Sequence, residues 1–140
     1  MNPNKRCVAV LGLVLLLGVS AHAQRRPSEK TLGVPIYPKA TFVDSFTQGL
    51  ADRYLFASND VSISVARFYE SKTGKTPERT QDPDGTETYR FVLKGSKDAA
   101  VPELEVRVNH FPGGSVIPDE QGHVRRYTTT ILITKSKKTR

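Results

Sequence analysis

The chain has 140 residues, with 21 Lys plus Arg against 14 Asp plus Glu, and a single cysteine. This length allows one domain and is too short for two once a leader is removed. One cysteine excludes an internal disulfide framework, and no set of thiolates is present for a structural zinc site.

The first 23 residues read as an address. Lys5 and Arg6 form a basic head, Val8 to Val19 is almost wholly apolar, and Ala21-His22-Ala23 supplies a small-x-small cleavage site. That is the anatomy of a secretory signal peptide over 1–23. A retained membrane anchor is the rival reading, but the apolar run is shorter than the roughly 20 residues a spanning helix needs. A lipoprotein reading fails because Cys7 lies near the start of the run, not just after it. Cleavage before Gln24 leaves 117 of the 140 residues, with 19 Lys plus Arg against 14 Asp plus Glu, a net charge of +5, and no cysteine. Such a chain is held by its apolar core alone, and a disulfide-free exported domain fits a bacterial route.

Residues 24–31 are polar and read as a flexible leader. Leu32-Gly33-Val34-Pro35-Ile36-Tyr37-Pro38 follows as an extended segment pinned to the core by Val34, Ile36 and Tyr37, because its prolines bias their predecessors to extended shapes. Ala40 to Thr47 and Arg53 to Ala57 alternate as strands around a turn at Gln48 to Ala51, which predicts a hairpin. Ser58-Asn59-Asp60 offers cap residues, and Val61, Val65, Phe68 and Tyr69 recur at helical spacing. The spacing predicts a helix over 60–72, ended by Thr73-Gly74. Thr76 to Gly85 carries no large apolar residue and reads as a surface loop ending in a turn. Strands are predicted over 86–94, 103–110 and 126–135, with Pro112 to Arg125 as a connection. The domain then spans 32–135, and 136–140 is a basic tail. The expected fold is α+β: an antiparallel sheet of about five strands with one helix packed on one face, in the order ββαβββ.

The chemistry-bearing motifs weigh little. Gly74-Lys75-Thr76 lacks the earlier glycine of a phosphate-binding loop, since Tyr69 stands there, and it follows a helix instead of preceding one. Gly113-Gly114-Ser115-Val116-Ile117 lacks the last glycine of a nucleophile elbow. His110 and His123 flank one loop with Asp119 and Glu120, but the plain reading is a strand end and a polar loop, so no metal is expected. Asp82, Asp84 and Glu87 lack the spacing of a calcium loop, and turn chemistry accounts for Asp82-Pro83-Asp84-Gly85. Glu103 and Glu105 share a strand face that is read as solvated, so neither is expected to work as an acid or base. Tyr89-Arg90-Phe91-Val92 lacks the glycine pattern of an RNA-recognition strand, and nucleic acid is not an expected partner.

Val34-Pro35-Ile36-Tyr37-Pro38-Lys39-Ala40, then Asn59-Asp60, then Val65-Ala66-Arg67-Phe68-Tyr69, resembles a pattern in small exported bacterial α+β domains of unknown function. In those, Val-Pro-x-Tyr-Pro-Gly-Ala leads into a strand and an Asp-capped helix carries Val-x-x-Phe-Tyr; Lys39 stands here where glycine is usual. The resemblance implies a scaffold and no recognised enzyme.

These readings point to an exported, periplasmic or extracellular, non-enzymatic binding or structural module of the cell envelope, with no catalytic, cofactor-binding or metal residues and no cofactor. Two alternatives stand beside it. One is a small hydrolase or lyase using His110 or His123 with a carboxylate, which a polar cleft at His110 would favour. The other is a polyanion-binding module working through its basic ends. The partner classes are an anionic envelope surface or a co-exported protein.

Overall fold

In the computed structural model, which describes residues 25–118 and 121–137, the chain opens on one helical turn, α1 (Glu29–Leu32). The Ser28 hydroxyl accepts from the Thr31 amide, and Gly33 closes the turn with φ 76°, a left-handed shape that glycine adopts without strain. Part of the expected leader over 24–31 is therefore ordered, and Leu32 is fully buried. The signal peptide expected over 1–23 lies outside the described residues, as do Asp119, Glu120 and the tail beyond Lys137.

The first hairpin forms as expected: β1 (Thr41–Gln48) and β2 (Ala51–Ser58) pair antiparallel. The helix α2 (Ser62–Thr73) starts later than Asp60 and ends at Gly74. Its N-cap is Val61, which offers no side-chain cap. The three polar residues before it serve the loop instead. The Ser58 hydroxyl accepts from the Asp60 amide, and the Asp60 carboxylate takes the Tyr37 hydroxyl at 2.5 Å. The helical stripe shifts accordingly. Val61 is exposed, while Ser62, Val65, Ala66 and Tyr69 are buried and Phe68 is half-buried.

The expected five-strand ββαβββ fold is corrected by the sheet. Six antiparallel strands lie in one sheet in the order β1-β2-β6-β5-β4-β3, and α2 is the one helix longer than a single turn among the described residues. The fold is mostly β. The missed strand is β3 (Glu78–Gln81), an edge strand whose four residues are all polar and exposed. It has no apolar alternation to read, and it is held by the ladder Glu78↔Arg90 to Gln81↔Glu87 and by an Arg79–Glu87 ion pair. The turn after it is as expected: the Gly85 amide donates to the Asp82 carbonyl and the Asp84 carboxylate accepts from the Thr86 amide.

After β4 (Glu87–Lys94), the last two strands are longer than their sequence signal. β5 (Leu104–Pro118) and β6 (Val124–Ser136) stay paired through most of the expected connection over 112–125. A bulge between His110 and Ser115 absorbs Phe111 to Gly114. At Gly114 a Cβ atom would lie 2.9 Å from the Tyr127 carbonyl oxygen, so the bulge needs glycine there.

The core occupies one face of the sheet. Phe42, Phe56, Phe91, Val106, Val108, Ile131 and Ile133 are at most 1% exposed and pack under α2 and the strap of Leu32, Val34 and Tyr37. Aromatic edges stitch this layer together, with Phe68 at 5.3 Å from Tyr37 and 5.1 Å from Tyr69. Among the described residues no helix or strand lies across the opposite face as a second layer.

Candidate functional site

Strand alternation places every second residue of the six strands on the open face. Register then lines them in rows across the sheet. One row runs Phe46, Arg53, Thr134, Glu105, Val92; the next runs Asp44, Leu55, Leu132, Arg107, Arg90, Glu78. Three arginines and three carboxylates therefore share a patch with apolar neighbours.

Glu105 is the centre of this patch and is 3% exposed, so the expectation that it is solvated is corrected. A carboxylate buried this far must be paired. Arg90 Nε donates to Oε2 at 2.7 Å and Arg107 Nε donates to Oε1 at 2.5 Å. Arg90 also reaches Glu78 Oε2 at 3.1 Å and the Lys97 carbonyl at 3.2 Å. The hydrogen bond to Glu105 is the main reason the Arg90 guanidinium is held even more firmly protonated than usual. The segment after β4 supplies the cover: Val101 and Pro102 join Arg53, Glu105, Arg107, Leu132 and Thr134 around a cavity of about 30 Å³, the space of roughly one water. Glu103, expected to share Glu105's fate, is exposed.

Arg53 and Arg107 are less fully engaged. Arg53 Nε is buried with no hydrogen-bond partner among the described residues, and the Arg107 side chain is 43% exposed. Phe46 and Val101 flank them at 42% and 41% exposed, and Leu55 and Leu132 are half-buried between. Arginine and aromatic side chains mixed with aliphatics are the composition enriched in protein interfaces.

His110 is placed away from this patch. It stands opposite Glu87 and Thr129 in the ladder, and its Nδ1 lies 3.2 Å from the Thr128 carbonyl. A carboxylate is thus beside it, but Glu87 is already held by Arg79 Nε at 2.5 Å and by the Ser62 hydroxyl at 3.4 Å. Burial pushes the Glu87 pKa up, but hydrogen bonds from Arg79, Tyr89 and Ser62 together with the Arg79 charge lower it overall, while burial raises the pKa of Tyr89 beside it. These groups close the N-terminal end of the core under α2. His123 is exposed beyond the bulge, and among the described residues neither histidine lines the four best-formed clefts. Among the described residues no three His, Cys, Asp or Glu side chains cluster as metal ligands.

A larger cleft opens off the end of the core layer. It measures about 360 Å³ and is lined by Leu32, Gly33, Lys94, Glu103, Leu104, Lys135 and Ser136. Neither this cleft nor the Glu105 patch is a candidate in the sequence reading, which assigns no role to Arg53, Arg90 or Arg107. Glu-x-Arg in one strand, facing Arg on a neighbour, is the signal that was available.

No family model, curated protein or solved structure matches the chain. No helix among the described residues is long and apolar enough to cross a membrane.

Proposed function

We propose that the protein is an exported, non-catalytic binding module that docks a co-exported protein of the cell envelope through the open face of its sheet. The observation that carries this reading is the buried Glu105 with its two arginines. Burying a carboxylate this way is costly and gives little stability. It does fix the guanidinium planes of Arg90 and Arg107 side by side, next to Leu132 on the neighbouring strand, before any partner arrives. A surface ordered in advance loses less conformational entropy on binding. Export rests on the basic head, apolar run and Ala-His-Ala site of residues 1–23.

Site-specific photo-crosslinking in the host tests the docking. A crosslinker at Phe46 and one at Leu132 are expected to capture the same discrete envelope protein, and one at Lys72 on the exposed side of α2 is not. Equal capture from Lys72, or none from either open-face position, overturns the reading. Intact-mass measurement of the exported protein tests the address: the product is expected to begin at Gln24, and retention of Val8 to Val19 overturns cleavage.

A further inference from the structure

We propose that the cleft at the end of the core layer binds a small amphipathic anion, a short hydrocarbon chain bearing a carboxylate. Its volume of about 360 Å³ falls within the ligand-pocket range of roughly 300–1,000 Å³. Its accessible wall is more apolar than polar, and behind it lie Leu32 and Leu104 of the core cluster, 0% and 4% exposed. The cleft lies where the ends of β4, β5 and β6 meet the turn after α1.

The polar groups sit on the rim. Register brings Lys94 of β4 and Lys135 of β6 to either side of Leu104. The Lys135 ammonium donates to the Thr31 carbonyl, which fixes its position and leaves further N–H groups to offer. Lys94 is exposed and forms no ion pair among the described residues. Glu103 is the single carboxylate in the wall, so two cations face one anion. The backbone beneath is set by Gly95, where a Cβ would lie 2.8 Å from the Glu103 amide nitrogen. A mostly apolar wall with paired ammonium groups at its mouth selects for an anion that carries a tail. A bare anion lacks the contact with that wall, and a cationic amphiphile meets two like charges.

Titration of the mature protein with sodium octanoate, followed by amide chemical shifts, is the test. Saturable shifts are expected at Gly33, Leu104 and Ser136, with sodium acetate and octyltrimethylammonium each at least tenfold weaker. Two variants at exposed positions check the charge assignment without touching the core. Lys94→Glu is expected to weaken octanoate about tenfold, and Glu103→Gln is expected to tighten it severalfold. The proposal is overturned if the shifts do not saturate, if acetate binds equally well, or if Lys94→Glu leaves the affinity unchanged.

Discussion

The two faces of this sheet are built from the same strands and hold together by opposite physics. On the covered face Phe91, Val106 and Ile133 lie under α2 and the strap, and their worth scales with apolar area removed from water. On the open face Glu105, Arg90 and Arg107 alternate with them along β4 and β5, and their worth is a small difference between desolvation and ion pairing. Stability is therefore concentrated on one side, and the other side is free to serve as a surface of defined shape.

The largest effects are expected on the covered face. Phe91→Ala removes a fully buried ring and is expected to cost about 3–5 kcal/mol. Phe68 lies on the same layer but is only partly buried, so Phe68→Ala is expected to cost less, about 1–3 kcal/mol. Denaturant melts of the two variants check the ranking. A Phe68 loss equal to that of Phe91 means the helix covers more of the core than its half-buried ring implies.

A second, smaller effect is expected on the open face. Breaking a buried pair leaves charge without a partner. The arginine side chains reach solvent, at 21% and 43% exposed, so Glu105→Ala is expected to cost about 2–3 kcal/mol and Arg107→Ala about 1 kcal/mol. If Glu105→Ala costs nothing in melts, the patch does not order its guanidinium groups, and the docking reading loses its foundation.

The same contrast explains what the sequence discloses. Strands β2, β4 and most of β6 carry large apolar residues at alternate positions, and their period is visible without the structure; in β1 a bulge between Phe42 and Asp44 sends Phe42 and Phe46 to opposite faces, which the spacing does not reveal. β3 carries none, because an edge strand needs only its ladder and the Arg79–Glu87 pair. The outer half of β5 is hidden by Pro112, Gly113, Gly114 and Pro118, which read as breakers although a bulge and the end of the pairing accommodate them. Glu105 is hidden for a third reason. Alternation assigns it to the polar face correctly, but Val101 and Pro102 of the loop just before β5 turn back to line the same small cavity as Glu105, a fold-back that leaves no periodic trace.

The strap over the covered face adds a pH-dependent contribution. A hydrogen bond to Asp60 is the main cause that pushes the Tyr37 pKa from 10.0 up to about 12, helped by burial and the nearby negative charge. The folded state thus keeps a proton that the unfolded chain releases near pH 10. The stability it contributes is complete below pH 10 and is lost as pH rises through about 12. Asp60 is partly solvated, at 30% exposed, so the contribution is expected to be only about 1 kcal/mol. Subtracting the melts of Tyr37→Phe from those of the parent protein isolates it. The difference is expected to be constant between pH 7 and 9 and to vanish toward pH 12. A difference that grows with pH means the Tyr37–Asp60 bond does not form.

The smallest effect is expected at the junction between the faces and the helix. Helical spacing groups Val61 with Val65, Phe68 and Tyr69, yet Val61 is 60% exposed and stands at the N-cap of α2 without a capping side chain. Its carbonyl already accepts from the Ser64 and Val65 amides at 3.0 and 3.3 Å, so part of the usual cap is supplied by the backbone. Val61→Ser removes little buried apolar area. Its extended backbone, φ −63° and ψ 142°, is the shape in which a serine hydroxyl accepts from the first turn. The neighbouring Asp60 and Glu87 make serine a better choice than aspartate, because an added carboxylate faces like charges. Against a full cap of about 1 kcal/mol, a gain of about 0.5 kcal/mol is expected. A loss above about 1 kcal/mol in the same melts means Val61 packs as the spacing suggests, and the covered face extends one turn further than its burial shows.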